Sequence, residues 1–248
     1  MKTLLAISLL IISAITNAQN NAPHYFESKP HKTNLLELYT SEGCSSCPPA
    51  EKWLARIPQQ LMDKSAIIPL AFHVTYWDYI GWKDKFASQQ YDQRQRKMVF
   101  QEGGRTVYTP QFFINSRTQR GIDRAISKLA RSEKQPSSIM IKAAVTETDQ
   151  KLNINLSLKQ LLKGLDKVVR VNVATYENDI RSVIEAGENE GRVSHHQYVV
   201  RELKTALMSL EVAQGRQFEF TKKPNKWAGV VIYVESANQV VEALRIPL

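Results

Sequence analysis

The stretch Asn34-Leu35-Leu36-Glu37-Leu38-Tyr39-Thr40-Ser41-Glu42-Gly43-Cys44-Ser45-Ser46-Cys47-Pro48-Pro49-Ala50 holds both cysteines of the chain. Asn34 to Thr40 reads as a buried strand. After Cys47 the period changes: Ala50, Trp53, Leu54, Ile57 and Leu61 recur at helical spacing and would lay one apolar stripe along a helix, which Pro58 ends or kinks. The order is therefore strand, Cys-x-x-Cys, helix. Closing so short a loop gains only about 2 kcal/mol from the lost freedom of the unfolded chain, against about 4–5 kcal/mol for a loop of a hundred residues. As a staple the pair is weak. Two thiols this close can open and close with little backbone movement, as thiol–disulfide exchange requires. A thiol at a helix start also faces unpaired N–H groups and the positive end of the dipole, which favours its thiolate.

Toward the N-terminus, Lys2, the apolar run Leu4 to Ile15 and the small-residue site Thr16-Asn17-Ala18 read as a signal peptide over residues 1–18, because a run of about 12 apolar residues is too short to span a membrane. The expectation is an exported protein, periplasmic or secreted, in a compartment where disulfides persist. Residues 19–32 lack periodicity and read as a flexible lead-in. The formal charge of +9 is dispersed, with Arg94-Gln95-Arg96-Lys97 its densest cluster; neither nucleic-acid binding nor a membrane span is expected. One Cys-x-x-Cys without a second pair or spaced histidines does not make a four-ligand zinc site, so no metal or cofactor is expected. His195 and His196 read as exposed polar residues.

Toward the C-terminus, Ala66 to Val74 reads as a second strand, Lys83 to Gln101 as a helix, Val107 to Ile114 as a strand opened by Thr109-Pro110, and Gly121 to Arg131 as a helix. Ser132 to Ser138 is polar and breaks periodicity, like a linker. Beyond it, alternation such as Leu152, Ile154, Leu156, Leu158 and Val169, Val171, Val173 argues for short antiparallel strands; Val199 to Leu210 reads equally as helix or strand. The expected architecture is an α/β domain over residues 33–133 followed by a mainly antiparallel β-sandwich-like domain over residues 139–248.

The strand, the Cys-x-x-Cys at a helix start and a later proline opening a strand resemble the thioredoxin superfamily across residues 33–133. That resemblance implies a thioredoxin-like fold, Cys44 as exposed nucleophile, Cys47 as resolving thiol, a cis Thr109–Pro110 bond against the pair, and protein or small-molecule thiols and disulfides as partners. Leu38 stands where the resemblance puts a buried carboxylate, leaving Glu37 as a substitute. Leu36 to Ala50, His73-Val74-Thr75-Tyr76-Trp77-Asp78-Tyr79-Ile80-Gly81-Trp82, Val107 to Gln111 and Gly187-Glu188-Asn189-Glu190-Gly191-Arg192 resemble an uncharacterised family of secreted bacterial proteins, domain of unknown function 1223. That family implies no established activity. The His73 to Trp82 segment follows a strand and is rich in aromatics; His73, Trp77 and Asp78 are candidate supporting residues, with His73 as proton donor or acceptor. Three functions stand: an exported thiol–disulfide oxidoreductase using Cys44 and Cys47, a binding module with a permanent disulfide, and a Cu(I)-handling protein using Cys44, Cys47 and His73. The oligomeric state is not legible.

Overall fold

The structure, a computed structural model, describes residues 22–212, 215–222 and 227–248; the expected signal peptide lies outside them. In chain order the first half holds β1 (His24–Glu27), β2 (Asn34–Thr40), α1 (Cys47–Ala55), α2 (Gln59–Ser65), β3 (Ile67–His73), α3 (Gln89–Gln101), β4 (Gln111–Ile114), β5 (Arg117–Gln119) and α4 (Ile122–Arg131). The second half holds β6 (Ile139–Glu147), β7 (Lys151–Gln160), β8 (Val168–Glu177), β9 (Ile180–Val183), β10 (Val193–His196), β11 (Val199–Ser209), β12 (Arg216–Thr221), β13 (Gly229–Ser236) and β14 (Gln239–Pro247). Pro58 divides the expected first helix, because its missing N–H ends α1 and its fixed φ opens α2. The next helix starts later than its charge pattern suggests. Ser88 caps it, accepting from the Gln90 N–H at 3.3 Å, which frees Lys83 to Ala87 as loop.

The expected pairing of an α/β thioredoxin-like domain with a β-sandwich-like domain is not what the chain forms. Among the described residues the fold is mostly β, with 44% strand and 19% helix, and the strands lie in three sheets. The largest has eight strands in the order β14-β13-β8-β11-β3-β2-β4-β5, so strands from both halves share it. The join is between β11 and β3, parallel at Val199↔Ala71, where the Ala71 N–H donates to the Tyr198 carbonyl at 2.8 Å. An open edge at β3 would leave its backbone groups unpaired; β11 covers them. The other sheets are β1-β6-β7-β12 and the ribbon β10-β9.

The core lies in three places. Ile139, Ile141, Leu152 and Ile154 of the four-stranded sheet meet Val169, Val171, Val230 and Ile232 of the large sheet. On the opposite face, Val231 and Tyr233 join Tyr39, Phe72, Phe113 and Tyr91 under α3. With both faces covered, every residue of β13 is buried. Leu36, Leu38, Leu54 and Ile126 form the third cluster, beneath α1, α2 and α4. The expected lead-in also differs: His24 to Glu27 pairs antiparallel with Lys142 to Val145. Phe26 faces the core while Tyr25 stays 79% exposed, an alternation over four residues too short to stand out in sequence. No helix among the described residues is long and apolar enough to cross a membrane.

Glu242 of β14 ties the halves together beneath this sheet. It is fully buried and accepts from the Thr33 N–H at 2.9 Å and its neighbour Ala243 N–H at 3.0 Å, with its other oxygen against the Ser137 hydroxyl. Burial raises its pKa above 4.5, the hydrogen bonds opposing. A carboxyl with a raised folded pKa loses stability as pH climbs from 4.5 through the folded value, and carries a fixed penalty above it. Glu242→Gln keeps the two backbone bonds on its carbonyl, and its amide can donate to Ser137, which already donates to the Ile139 carbonyl at 2.6 Å. The variant is expected to have a higher Tm than the wild type at pH 8, where the buried carboxylate is ionised, and the same Tm at pH 4. Thermal unfolding at the two pH values checks this.

Candidate functional site

Cys44 and Cys47 are joined in a disulfide, with Cys47 as first residue of α1. Neither cysteine has exposed surface, so the exposed Cys44 nucleophile implied by the sequence resemblance is not present in this state. The backbone around the bond is held by named contacts. The Cys44 carbonyl accepts from Asn189 Nδ2 at 2.9 Å, and the same amide group donates to the Glu42 carbonyl at 2.8 Å. Ser45 N–H donates to Glu188 Oε2 at 3.2 Å. On the other side a Cβ at Gly43 would stand 3.1 Å from Ile80 Cδ1 and 3.4 Å from Trp77 Cβ, a closeness that explains glycine before the first cysteine. Ser45 and Ser46 alone reach solvent from the motif, and Ser46 Oγ lies 3.3 Å from Cys44 Sγ. The Thr109–Pro110 peptide is cis; Ser46 Oγ reaches the Thr109 carbonyl at 3.5 Å, and Trp77 Nε1 donates to Thr109 Oγ1 at 2.7 Å.

Beneath α1 lies a network of acids and histidines. Glu51 follows Cys47 by one helical turn and shares its face. His196, at the end of β10, is 2% exposed and has carboxylates on both ring nitrogens: Glu42 Oε1 is 3.0 Å from Nε2, and Glu51 Oε2 is 2.9 Å from Nδ1. His73, at the end of β3 and 1% exposed, places Nδ1 2.7 Å from Asp84 Oδ2. Thr40 Oγ1 donates to Glu51 Oε1 at 2.6 Å, Trp82 Nε1 to Glu42 Oε2 at 2.8 Å, and the Glu42 N–H to Asp84 Oδ2 at 2.9 Å. Burial alone would lower the His196 pKa, but the two carboxylates outweigh it and hold it up to about 10. Burial likewise would raise Glu42 and Glu51, yet His196 pulls both below the usual carboxylate value. The imidazolium and its two carboxylates hold one another charged.

A family model described as a protein of unknown function, DUF1223, matches residues 35–235. The chain belongs to this family. No curated protein matches it. Among solved structures, a crystal structure of a protein from Agrobacterium tumefaciens aligns with a TM-score of 0.60 at 22% identity, covering 89% of this chain and 96% of that one. HBP35 of Porphyromonas gingivalis aligns with a TM-score of 0.63 at 14% identity, covering 89% of this chain and 76% of that one. At such identities these chains share a fold, and the fold alone does not give an activity.

In this DUF1223 protein the residues singled out from sequence do gather at one end of the large sheet, but the aromatic segment is not an open groove. Its polar groups turn inward: His73 to Asp84, Trp82 to Glu42, Trp77 to Thr109, and Tyr76 Oη to Gln95 Oε1 at 3.1 Å. Asp78 accepts from the Asp84 N–H at 3.2 Å, and burial raises its pKa. Tyr79, 81% exposed, stacks on Trp77. Glu37 does not replace the missing carboxylate near the cysteines, because it points to α3 and pairs with Arg94. His196, expected at the surface, is buried, since β10 delivers it between Glu42 and Glu51. Sequence reading missed Glu42, Glu51, Asp84 and Asn189 as partners. The loop Gly187 to Arg192 gave the one usable signal: Gly187 has φ +79° and lies against Ile80 and Trp82, a close approach that fits glycine.

Proposed function

We propose that this DUF1223 protein carries out thiol–disulfide exchange through Cys44 and Cys47, with the oxidised pair held under a cover that must open. A partner thiolate attacks Cys44 Sγ, a mixed disulfide forms, and Cys47 leaves as a thiolate. A second partner thiol then attacks the mixed disulfide, releasing the partner as a disulfide and Cys44 as a thiolate. The observation that carries this reading is the pairing itself: the chain's two cysteines close on each other within one turn at the start of α1, where closure stabilises weakly and reopening costs little. The neighbouring Gly187 to Arg192 loop supports it, because polar contacts that can open hold that loop to the backbone of the motif.

One observation favours a second reading, a binding module with a permanent disulfide: neither cysteine presents surface to an attacking thiol. A Cu(I)-handling role would first require reduction, since a disulfide offers no thiolate. Equilibration with glutathione separates the readings. An exchanging pair is expected to settle near about −200 mV, a permanent one below about −300 mV, and the latter value would end the oxidoreductase reading. Asn189→Ala removes both bonds that hold the cover to the Glu42 and Cys44 carbonyls. It is expected to speed reduction by a small thiol about tenfold, because local opening becomes cheaper by about 1–2 kcal/mol; an unchanged rate would show that this loop is not the cover.

A further inference from the structure

We propose that Glu51, His73 and His196 form a buried site for one divalent transition-metal ion of zinc's class. The three side chains come from α1, β3 and β10, and one ligand atom from each lies within 4.8 Å of the other two. His73 Nε2 and His196 Nδ1 are both buried without a hydrogen-bond partner. His196 Nδ1 is near Glu51 Oε2 but off the line that an N–H···O bond needs. A buried ring nitrogen without a partner costs roughly 1–3 kcal/mol, so His73 Nε2, which has no carboxylate beside it to compensate, calls for an explanation.

The outer contacts match what ligating residues need. Each ligand has its far atom held: His73 Nδ1 by Asp84, His196 Nε2 by Glu42, and Glu51 Oε1 by Thr40 Oγ1. A carboxylate on the second ring nitrogen fixes the tautomer and aims the first nitrogen at the ion, and here both histidines have one. Phe86 stands edge-on to both rings, at 5.2 and 5.5 Å, and limits their rotation. Charge agrees. Glu42, Glu51 and Asp84 place three carboxylates in one buried cluster, and among the described residues no lysine or arginine forms an ion pair with them. Two nitrogens and one oxygen suit zinc and its neighbours rather than calcium or magnesium. Around a tetrahedral zinc the ligand atoms stand roughly 3.3 Å apart, so no pair here must close by more than about 1.5 Å, within reach of side-chain rotation. Binding would replace the Nδ1 proton of His196, which leaves to solvent.

The test uses the full chain, stripped of metal with its disulfide intact, so that thiolates cannot contribute. Zinc is expected to bind one to one by competition against a chromophoric chelator, and cobalt to give the visible absorption of a tetrahedral N/O site. Glu51→Gln keeps the volume and the Thr40 contact, and is expected to weaken zinc binding about 100-fold or more while leaving the far-UV signal unchanged. His73→Gln should do the same by a different element. If the oxidised wild-type chain takes up neither ion stoichiometrically, the proposal fails. It also fails if both variants bind like the wild type, since exposed histidines such as His24 and His195 would then account for the uptake.

Discussion

Replacing Arg94 with alanine is expected to destabilise the fold by about 3–5 kcal/mol, the range for removing one partner of a buried ion pair. The guanidinium forks onto Glu37 of β2, with Nε 2.8 Å from Oε2 and Nη2 2.9 Å from Oε1, while Nη1 reaches Glu235 of β13 at 2.6 Å. Glu37 has no exposed side-chain surface and Glu235 has 6%. Without Arg94, Glu37 would keep only the Tyr39 hydroxyl at 3.0 Å. Glu235 would keep Arg170 at 3.6 Å, itself 40% exposed and screened by water. Tyr233 also loses the cation over its ring, now at 5.0 Å. Because β2 and β13 belong to different halves of the chain, the loss falls on a side-chain bridge under α3 that links the halves, separate from the β11–β3 pairing that makes the large sheet continuous. Arg94→Lys should recover only part of it, since an ammonium supplies charge without the planar fork. Guanidinium denaturation of the three proteins at pH 7 measures the order; equal midpoints would show that the cluster contributes nothing net.

How far the sequence foretold this molecule depends on the range of each interaction. Local patterns were legible. The runs at Asn34 to Thr40 and Ile67 to His73 are buried on both sides and read as strands, and the stripe through Ala125, Ile126 and Leu129 reads as α4. The split at Pro58 follows from one residue's chemistry. Long-range pairing was not legible. Nothing in Val199 or Ala71 announces that β11 will add to the edge of β3, so the two halves read as separate domains when one sheet unites them. The polar Ser132 to Ser138 run strengthened that reading, although Ser137 is buried against Glu242.

At the site the same division holds. Cys44 and Cys47 stand out by spacing, and Trp77 and Asp78 by composition. Glu51 looks like any charged position on an amphipathic helix, and His196 sits beside an exposed twin, His195, in an alternating ribbon. Alternation puts one of the two inside, but which one is fixed only when β10 meets α1. The buried acids and histidines of this protein are therefore a product of assembly: each becomes costly, and so informative, only when the partner from another element arrives.

Replacing His196 with alanine is the sharpest trial of that network. Glu42 has no exposed side-chain surface and Glu51 has 10%; the variant leaves both near Asp84 without the imidazolium between them. Removal of one partner from a buried charge cluster again costs about 3–5 kcal/mol, and the cavity left by the ring adds to it. The decisive comparison is a cycle with Glu42→Gln. That variant in the wild-type background gives up a charge-assisted bond to His196 and is expected to cost about 1–3 kcal/mol. In the His196→Ala background the same change removes an unpaired buried carboxylate, so it should cost far less or restore stability. The two substitutions are then non-additive by about 1–3 kcal/mol, as residues in one network are. Chemical denaturation of the four chelator-treated proteins gives the coupling directly. Additive costs would mean that Glu42 and His196 stabilise the fold independently, and that the pair does not lock the second half of the chain onto the end that carries the disulfide.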